Sequence, residues 1–130
     1  MDVRVQFVID FMKQNLEKDF VLSQIASLIN LSESRLRHLF TTETGISPTT
    51  YVRKLRLAAA KDLLRSRLLS IDQIAMKVGW RDRSHFERRF KEFYGITPAH
   101  YRHSERLSFL TSTTYNFSQR GHISAGQAIE

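Results

Sequence analysis

Apolar side chains recur at helical spacing along most of the chain, and the breaks between stripes mark the elements. Val5, Val8, Ile9, Met12 and Leu16 predict an amphipathic helix over residues 3–16. Leu22, Ile25, Ala26 and Ile29 form a second stripe that Asn30 interrupts, after which Ser32 can cap a third helix carrying Leu36, Leu39 and Phe40. Beyond Pro48 a long helix to about Leu64 turns Tyr51, Val52, Leu55, Ala58, Ala59 and Leu63 inward and Arg53, Lys54, Arg56 and Lys61 outward. Ser70-Ile71-Asp72-Gln73 fits a capping box, Gly79 sits at the next break, and Asp82 can cap a helix whose Phe86, Phe90 and Phe93 are all expected in the core. Trp80 is expected to pack between the helices of this second part. Residues 104–130 are rich in Ser, Thr and Gly without a lasting period and read as a loosely ordered tail, with a short hairpin as the lesser alternative.

The stripes repeat. At an offset of 49, Gln24-Ile25-Ala26 returns as Gln73-Ile74-Ala75, and Leu22, Ile29 and Leu31 fall on Ile71, Val78 and Trp80. At an offset of 50, Ser34, Phe40, Gly45, Ile46, Pro48 and Tyr51 recur as Ser84, Phe90, Gly95, Ile96, Pro98 and Tyr101, with Leu36 becoming Phe86. The change of offset falls between Leu31 and Ser34, where a turn absorbs one residue. Asn30 and Gly79 occupy the same turn position, and they are the two residue types that best tolerate positive φ. Ala26 and Ala75 are small where a following helix must cross closely. Gly45 and Gly95 end the second helices, and Ser47-Pro48 and Thr97-Pro98 start new ones. The expected fold is therefore all-α, with about seven helices and two helix-turn-helix units joined by a long central helix. The first unit spans about 3–47, the linker helix about 48–66 and the second unit about 70–104. Residues 1–104 make one domain and residues 105–130 a polar C-terminal tail.

Charge narrows the partner. Twenty basic side chains against 13 acidic ones give a formal charge of +7, which favours an anionic partner, nucleic acid ahead of a membrane surface. Residues 1–104 hold 18 of the basic and 11 of the acidic side chains, so the whole excess lies before the tail. The absence of cysteine excludes disulfides, thiolate nucleophiles and thiolate zinc sites. Residues 1–20 lack both a signal peptide's apolar run and a spanning segment, so no membrane role and a cytoplasmic location are expected.

In a helix-turn-helix the second helix enters the major groove. Advancing 100° per residue from Phe86 sets Ser84, Arg88 and Lys91 opposite the core with Glu87 at the flank, and the same count from Leu36 turns Ser34, His38 and Thr41 outward with Arg37 flanking. Arg83 stands in the first turn, where such helices meet base edges. Arginine can fork onto guanine, glutamate can accept from cytosine, and histidine or serine can bond several edges. The base-reading candidates are thus Ser34, Arg35, Arg37, His38, Arg83, Ser84, Glu87 and Arg88, with Arg35 toward the side of its helix. Ser32, Lys54, Arg81, Arg89 and Lys91 suit phosphate contact, which needs only charge or a donor at the groove rim. The plain alternative for each residue is a solvated polar surface position. No catalytic constellation, glycine-rich phosphate loop or cofactor site is recognisable. His100 and His103 have a spacing that could hold a metal, but no third ligand accompanies them, and a helix end explains them better. An enzyme is therefore not expected. Two functions remain open: a sequence-specific duplex DNA reader, and a basic helical module that binds an acidic protein.

The run Ile74-Ala75, Val78-Gly79-Trp80, Ser84, Phe86, Phe90-Lys91, Gly95-Ile96-Thr97-Pro98, Tyr101-Arg102 resembles the signature of AraC/XylS transcription regulators. Ser34, Arg35, Leu36, Phe40, Gly45 and Pro48 resemble their first unit, and the likeness covers residues 1 to about 104. Val21, where a capping residue is usual, and Trp80, where phenylalanine is commoner, depart from the pattern. The resemblance implies seven helices, two recognition helices in successive major-groove segments, and transcription activation through contact with RNA polymerase. It also implies an effector-sensing domain that these residues do not contain, so a stand-alone regulator and the carboxyl-terminal part of a longer one both fit. With two units already in one chain, a monomeric DNA-binding domain is expected. A central helix of about 20 residues would span about 30 Å, close to the ~34 Å between successive major-groove faces.

Overall fold

The computed structural model describes residues 1–108 and 110. Seven helices and no strand are present among the described residues. They are α1 (Val3–Gln14), α2 (Leu22–Leu28), α3 (Glu33–Thr44), α4 (Pro48–Leu63), α5 (Ile71–Lys77), α6 (Arg83–Tyr94) and α7, residues 98–108. Helices α2–α3 and α5–α6 are the two helix-turn-helix pairs that the repeat predicts.

Local chemistry sets the ends. Ser32, Ser47 and Asp82 accept bonds from the backbone N–H groups of Arg35, Thr50 and Ser84, satisfying donors that a helix start leaves unpaired. Ser70 and Gln73 complete the expected capping box. Asp2 caps α1, and the Thr97 hydroxyl accepts from the His100 N–H at 3.1 Å. Val21 caps α2 without any side-chain bond. Both turns are built alike. Asn30 has φ 57 and Gly79 φ 102, and the next N–H reaches back across each turn, Leu31 to the Ala26 carbonyl at 3.0 Å and Trp80 to the Ala75 carbonyl at 2.8 Å. A left-handed residue there lets the chain reverse while using the last carbonyls of the helix.

Each unit buries its own core. Val5, Val8, Ile9, Met12, Leu22, Ile25, Ala26, Leu36, Phe40 and Val52 form the first cluster. Leu57, Ala60, Leu64, Ile74, Ala75, Val78, Trp80, Phe86, Phe90 and Tyr101 form the second. Helix α4 serves both. Val52 and Leu57 are five residues apart, which turns them roughly 140° around the helix and points them at different cores.

That division corrects the single inward face expected for α4. Leu57 and Ala60 are buried, Ala58 is exposed, and Arg56, expected outward, is half-buried. The helix is also shorter than expected: its 16 residues span about 24 Å. Beyond the Leu64 cap, α4 gives way to a loop held by Arg102 of α7, whose guanidinium donates to the carbonyls of Leu64, Ser66 and Leu69. Phe93 is a further correction: Phe86 and Phe90 are fully buried, whereas Phe93 is 48% exposed. Its angle about α6 matches theirs, but in the last turn it is Tyr94 that packs on the core, and Phe93 lies against the outer side of Tyr94 with the Lys54 ammonium 5.7 Å from its own ring centre. Trp80 packs within its unit as expected, against Phe86. Residues 105–108 continue α7 rather than starting a tail, because Ser104 and Glu105 remain half-buried on the side that carries Tyr101. The rest of the expected tail, and the hairpin alternative, fall on residue 109 and residues 111–130, outside the described residues.

Candidate nucleic-acid interface

Helices α3 and α6 present matched faces. On α3, Ser34, Arg35, Arg37 and His38 are exposed while Leu36 and Phe40 are buried. On α6, Arg83, Ser84 and Arg88 are exposed, Glu87 is half-buried, and Phe86 and Phe90 are buried. Every base-reading candidate thus stands on or beside the face turned away from a core. Ser34, Arg35 and His38 share an open groove of about 640 Å³ with Arg4, Leu31, Leu39 and Thr42. Arg4 comes from α1 and was not among the sequence candidates. Its contribution depends on how α1 lies beside α3, which no local pattern reveals.

The cations differ in how they are held. Arg37 pairs with Glu33 at 2.9 Å, one helical turn before it. Arg83 bonds Glu87 on its own helix and lies 3.4 Å from Asp72 on α5. The hydrogen bond to Glu87, first, and the Asp72 charge raise the Arg83 pKa above the ordinary arginine value, so this guanidinium is kept charged and oriented at the start of α6. The guanidinium groups of Arg35 and Arg88 have no ion-pair or hydrogen-bond partner among the described residues, and each is free to turn toward a ligand.

The phosphate candidates lie around the rims. Ser32 uses its oxygen to cap α3, which leaves its hydroxyl proton to donate. Lys91 is exposed. Arg89 donates to His85 Nε2 at 3.3 Å and pairs with Glu92 at 3.1 Å, while the His85 ring stands edge-on to Trp80. Arg81 pairs with Asp19 of the first unit at 2.6 Å, with both side chains largely exposed. Exposed pairs of this kind are worth at most about 1 kcal/mol, and the guanidinium has N–H donors to spare, so Arg81 can keep Asp19 and still offer a donor to a phosphate. A cleft of about 380 Å³ between the units is lined by Thr49, Arg53, Arg56, Arg81 and His85 among others. Arg53 and Thr49 were not among the sequence candidates, because the cleft exists only once the second unit folds back beside α4.

No group of three His, Cys, Asp or Glu side chains able to hold a metal occurs among the described residues. His100 and His103 are both exposed on α7. No helix of the described residues is long and apolar enough to cross a membrane.

The family described as a helix-turn-helix domain matches residues 25–104. The transcriptional regulator GbdR of Pseudomonas aeruginosa is 33% identical over 104 residues, covering 80% of this chain and 28% of GbdR. The transcriptional activator RhaR of an Enterobacter species is 35% identical over 92 residues, covering 71% of this chain and 33% of RhaR. The chain thus spans about a third or less of the length of these relatives. A transcriptional regulator from Chromobacterium violaceum, described among proteins containing an AraC-type DNA-binding domain, superposes with a TM-score of 0.73 at 28% identity, covering 78% of this chain and 91% of that structure.

Proposed function

Because the chain belongs to the AraC-type helix-turn-helix family, we propose that it is a sequence-specific reader of duplex DNA that regulates transcription, as an activator, by placing α3 and α6 in successive major-groove segments. The observation that carries this reading is the duplication itself. Two helix-turn-helix pairs, turned alike and each with a side-chain cap on its second helix, each bury one side of that helix and present arginine, serine and a further polar reader on the other. A single such face is ordinary solvated surface; two in one chain match the repeating geometry of a duplex.

In this reading Ser34, Arg35, Arg37 and His38 meet base edges in one segment, and Arg83, Ser84, Glu87 and Arg88 do so in the next. Ser32, Lys54, Arg81, Arg89 and Lys91 hold phosphates, with Arg53 and Thr49 of the cleft beside them. Arginines forked onto guanine would supply most of the discrimination, and the basic excess would supply a salt-dependent, sequence-independent pull. A monomer suffices because both units share one chain. The activator role is supported by the relative RhaR, named a transcriptional activator; contact with RNA polymerase and a cytoplasmic setting belong to the same proposal.

Selection of bound sites from random duplex DNA, followed by footprinting, tests the proposal. The expected result is one sequence protected over two major-groove segments about one helical turn apart. Protection of a single segment, or binding with no sequence preference, would refute it and favour a basic module for an acidic protein.

A further inference from the structure

The two units have separate apolar cores, and α4 alone would leave them free to rock about it. A compact polar contact ties them instead. Arg56, on α4 between the two cores, donates from Nε to the Leu16 carbonyl at 3.0 Å and from Nη2 to the Lys18 carbonyl at 2.9 Å. Both acceptors lie in the connection after α1, some 40 residues away in sequence. Arg81, just past the turn of the second unit, pairs with Asp19 of the same connection. Between them stands Gly79. A Cβ at this position would lie 2.2 Å from the Leu16 carbonyl oxygen and 2.7 Å from Arg56 Nε, so the turn of the second unit rests directly on the first.

The repeat isolates what is special here. Asn30 occupies the equivalent turn position with positive φ and an exposed side chain, so the turn itself accepts a side chain. Gly79 is required by the close approach between units in addition to its φ.

We infer that Leu16, Lys18 and Asp19, Arg56, and Gly79 with Arg81 form a brace that fixes the separation and angle of α3 and α6, and so makes the chain selective for the spacing between the two DNA segments it reads. Arg56 and Asp19 are positioning residues in this scheme. Adding or removing one base pair shifts one segment against the other by about 3.4 Å and about 35°. A rigid pair of helices cannot follow that change, whereas a loosened pair can. The inference rests on the two-segment reading proposed above.

The test uses the full chain and the duplex selected by it, with the spacer between segments left unchanged, shortened by one base pair or lengthened by one. Dissociation constants are measured for wild type, Arg56→Met and Asp19→Ala, together with a duplex carrying one segment alone. Arg56→Met keeps the aliphatic stem and the helix while removing both donors. Asp19→Ala adds one unit of net charge that acts on all duplexes alike, so the ratio between spacings cancels it. Wild type is expected to bind the altered spacers at least about tenfold more weakly, and Arg56→Met to reduce that ratio to about threefold or less, while its lost charge weakens all duplexes, the single segment included, by one common factor. Asp19→Ala is expected to reduce it in the same direction by a smaller factor. Gly79→Ala is expected to act like Arg56→Met wherever it folds. A wild-type ratio retained in Arg56→Met, whatever the common weakening of all duplexes, overturns the brace. Wild type that protects two segments yet ignores spacing also overturns the brace while leaving the two-segment reading intact. Protection of one segment overturns both.

Discussion

Arg102 offers the sharpest test of how the second unit is held. Its guanidinium makes three bonds to carbonyls of the α4–α5 connection, at 3.0 Å to Leu64, 3.0 Å to Ser66 and 2.7 Å to Leu69. Burial, first, and the neighbouring Arg106 charge pull its pKa below the usual arginine value, which shows that the group gives up hydration to reach them. Arg102→Met keeps the stem and removes all three donors. Hydrogen bonds to charged groups are worth about 1.5–3 kcal/mol each when dry. These are only partly buried, and water can reach the Ser66 and Leu69 carbonyls once the guanidinium leaves, so a net of about 1 kcal/mol per bond and about 3 kcal/mol in all is expected. Against a typical total of about 5–15 kcal/mol this is a large fraction, and it corresponds to a fall in melting temperature of about 10 °C or more. Arg102→Lys retains the charge but cannot span three divergent acceptors, so it should recover about a third of the loss. Thermal unfolding followed by circular dichroism reads both variants. A melting temperature within about 3 °C of wild type for Arg102→Met would show that the connection is held by something else.

Arg88→Ala should cost about 1–3 kcal/mol on the preferred duplex and reorder the ranking of sites, while Lys54→Ala should weaken all sequences alike and lower the salt slope by about 1; competition binding that leaves the ranking intact for Arg88→Ala would move this residue to the phosphate set. Val21 is 41% exposed and caps α2 with no side-chain bond, so Val21→Ser should stabilise the chain by about 1 kcal/mol, seen as a raised melting temperature, and a lowered one would contradict the capping argument. Asp2, bonded by the Arg4 side chain and backbone N–H, has its carboxyl lowered from 3.8 to about 2. Its stabilising charge is therefore complete above about pH 4 and lost as pH falls through about 2. Asp2→Asn, which keeps the cap acceptor, should flatten the melting temperature over that window relative to wild type, and an unchanged pH profile would count against the Asp2–Arg4 contact.

The sequence by itself determined whatever depends on neighbours a few residues apart. Ser32, Ser47, Ser70, Asp82 and Thr97 announce helix starts because capping needs only a side-chain oxygen and the N–H groups two or three residues on. Asn30 and Gly79 announce turns because positive φ is a property of the residue itself. The exposed faces of α3 and α6 follow from a rotation of 100° per residue once Leu36 and Phe86 are taken as buried. The duplication then carried these local readings to a fold with two units. What the tertiary structure decided is everything set between units. One long helix must face two cores in turn, so the inward set of α4 shifts from Val52 to Leu57 and Ala60, and a single apolar stripe could not foretell the shift. Phe93 has a core angle, yet Tyr94 takes the place on the core and leaves it half exposed. Arg56 and Arg102 look like surface charges in the sequence, yet each is drawn in by backbone carbonyls more than 30 residues away. Periodicity records which side of a helix is apolar; where that side ends, and which distant carbonyl needs a donor, is settled only when separate segments meet.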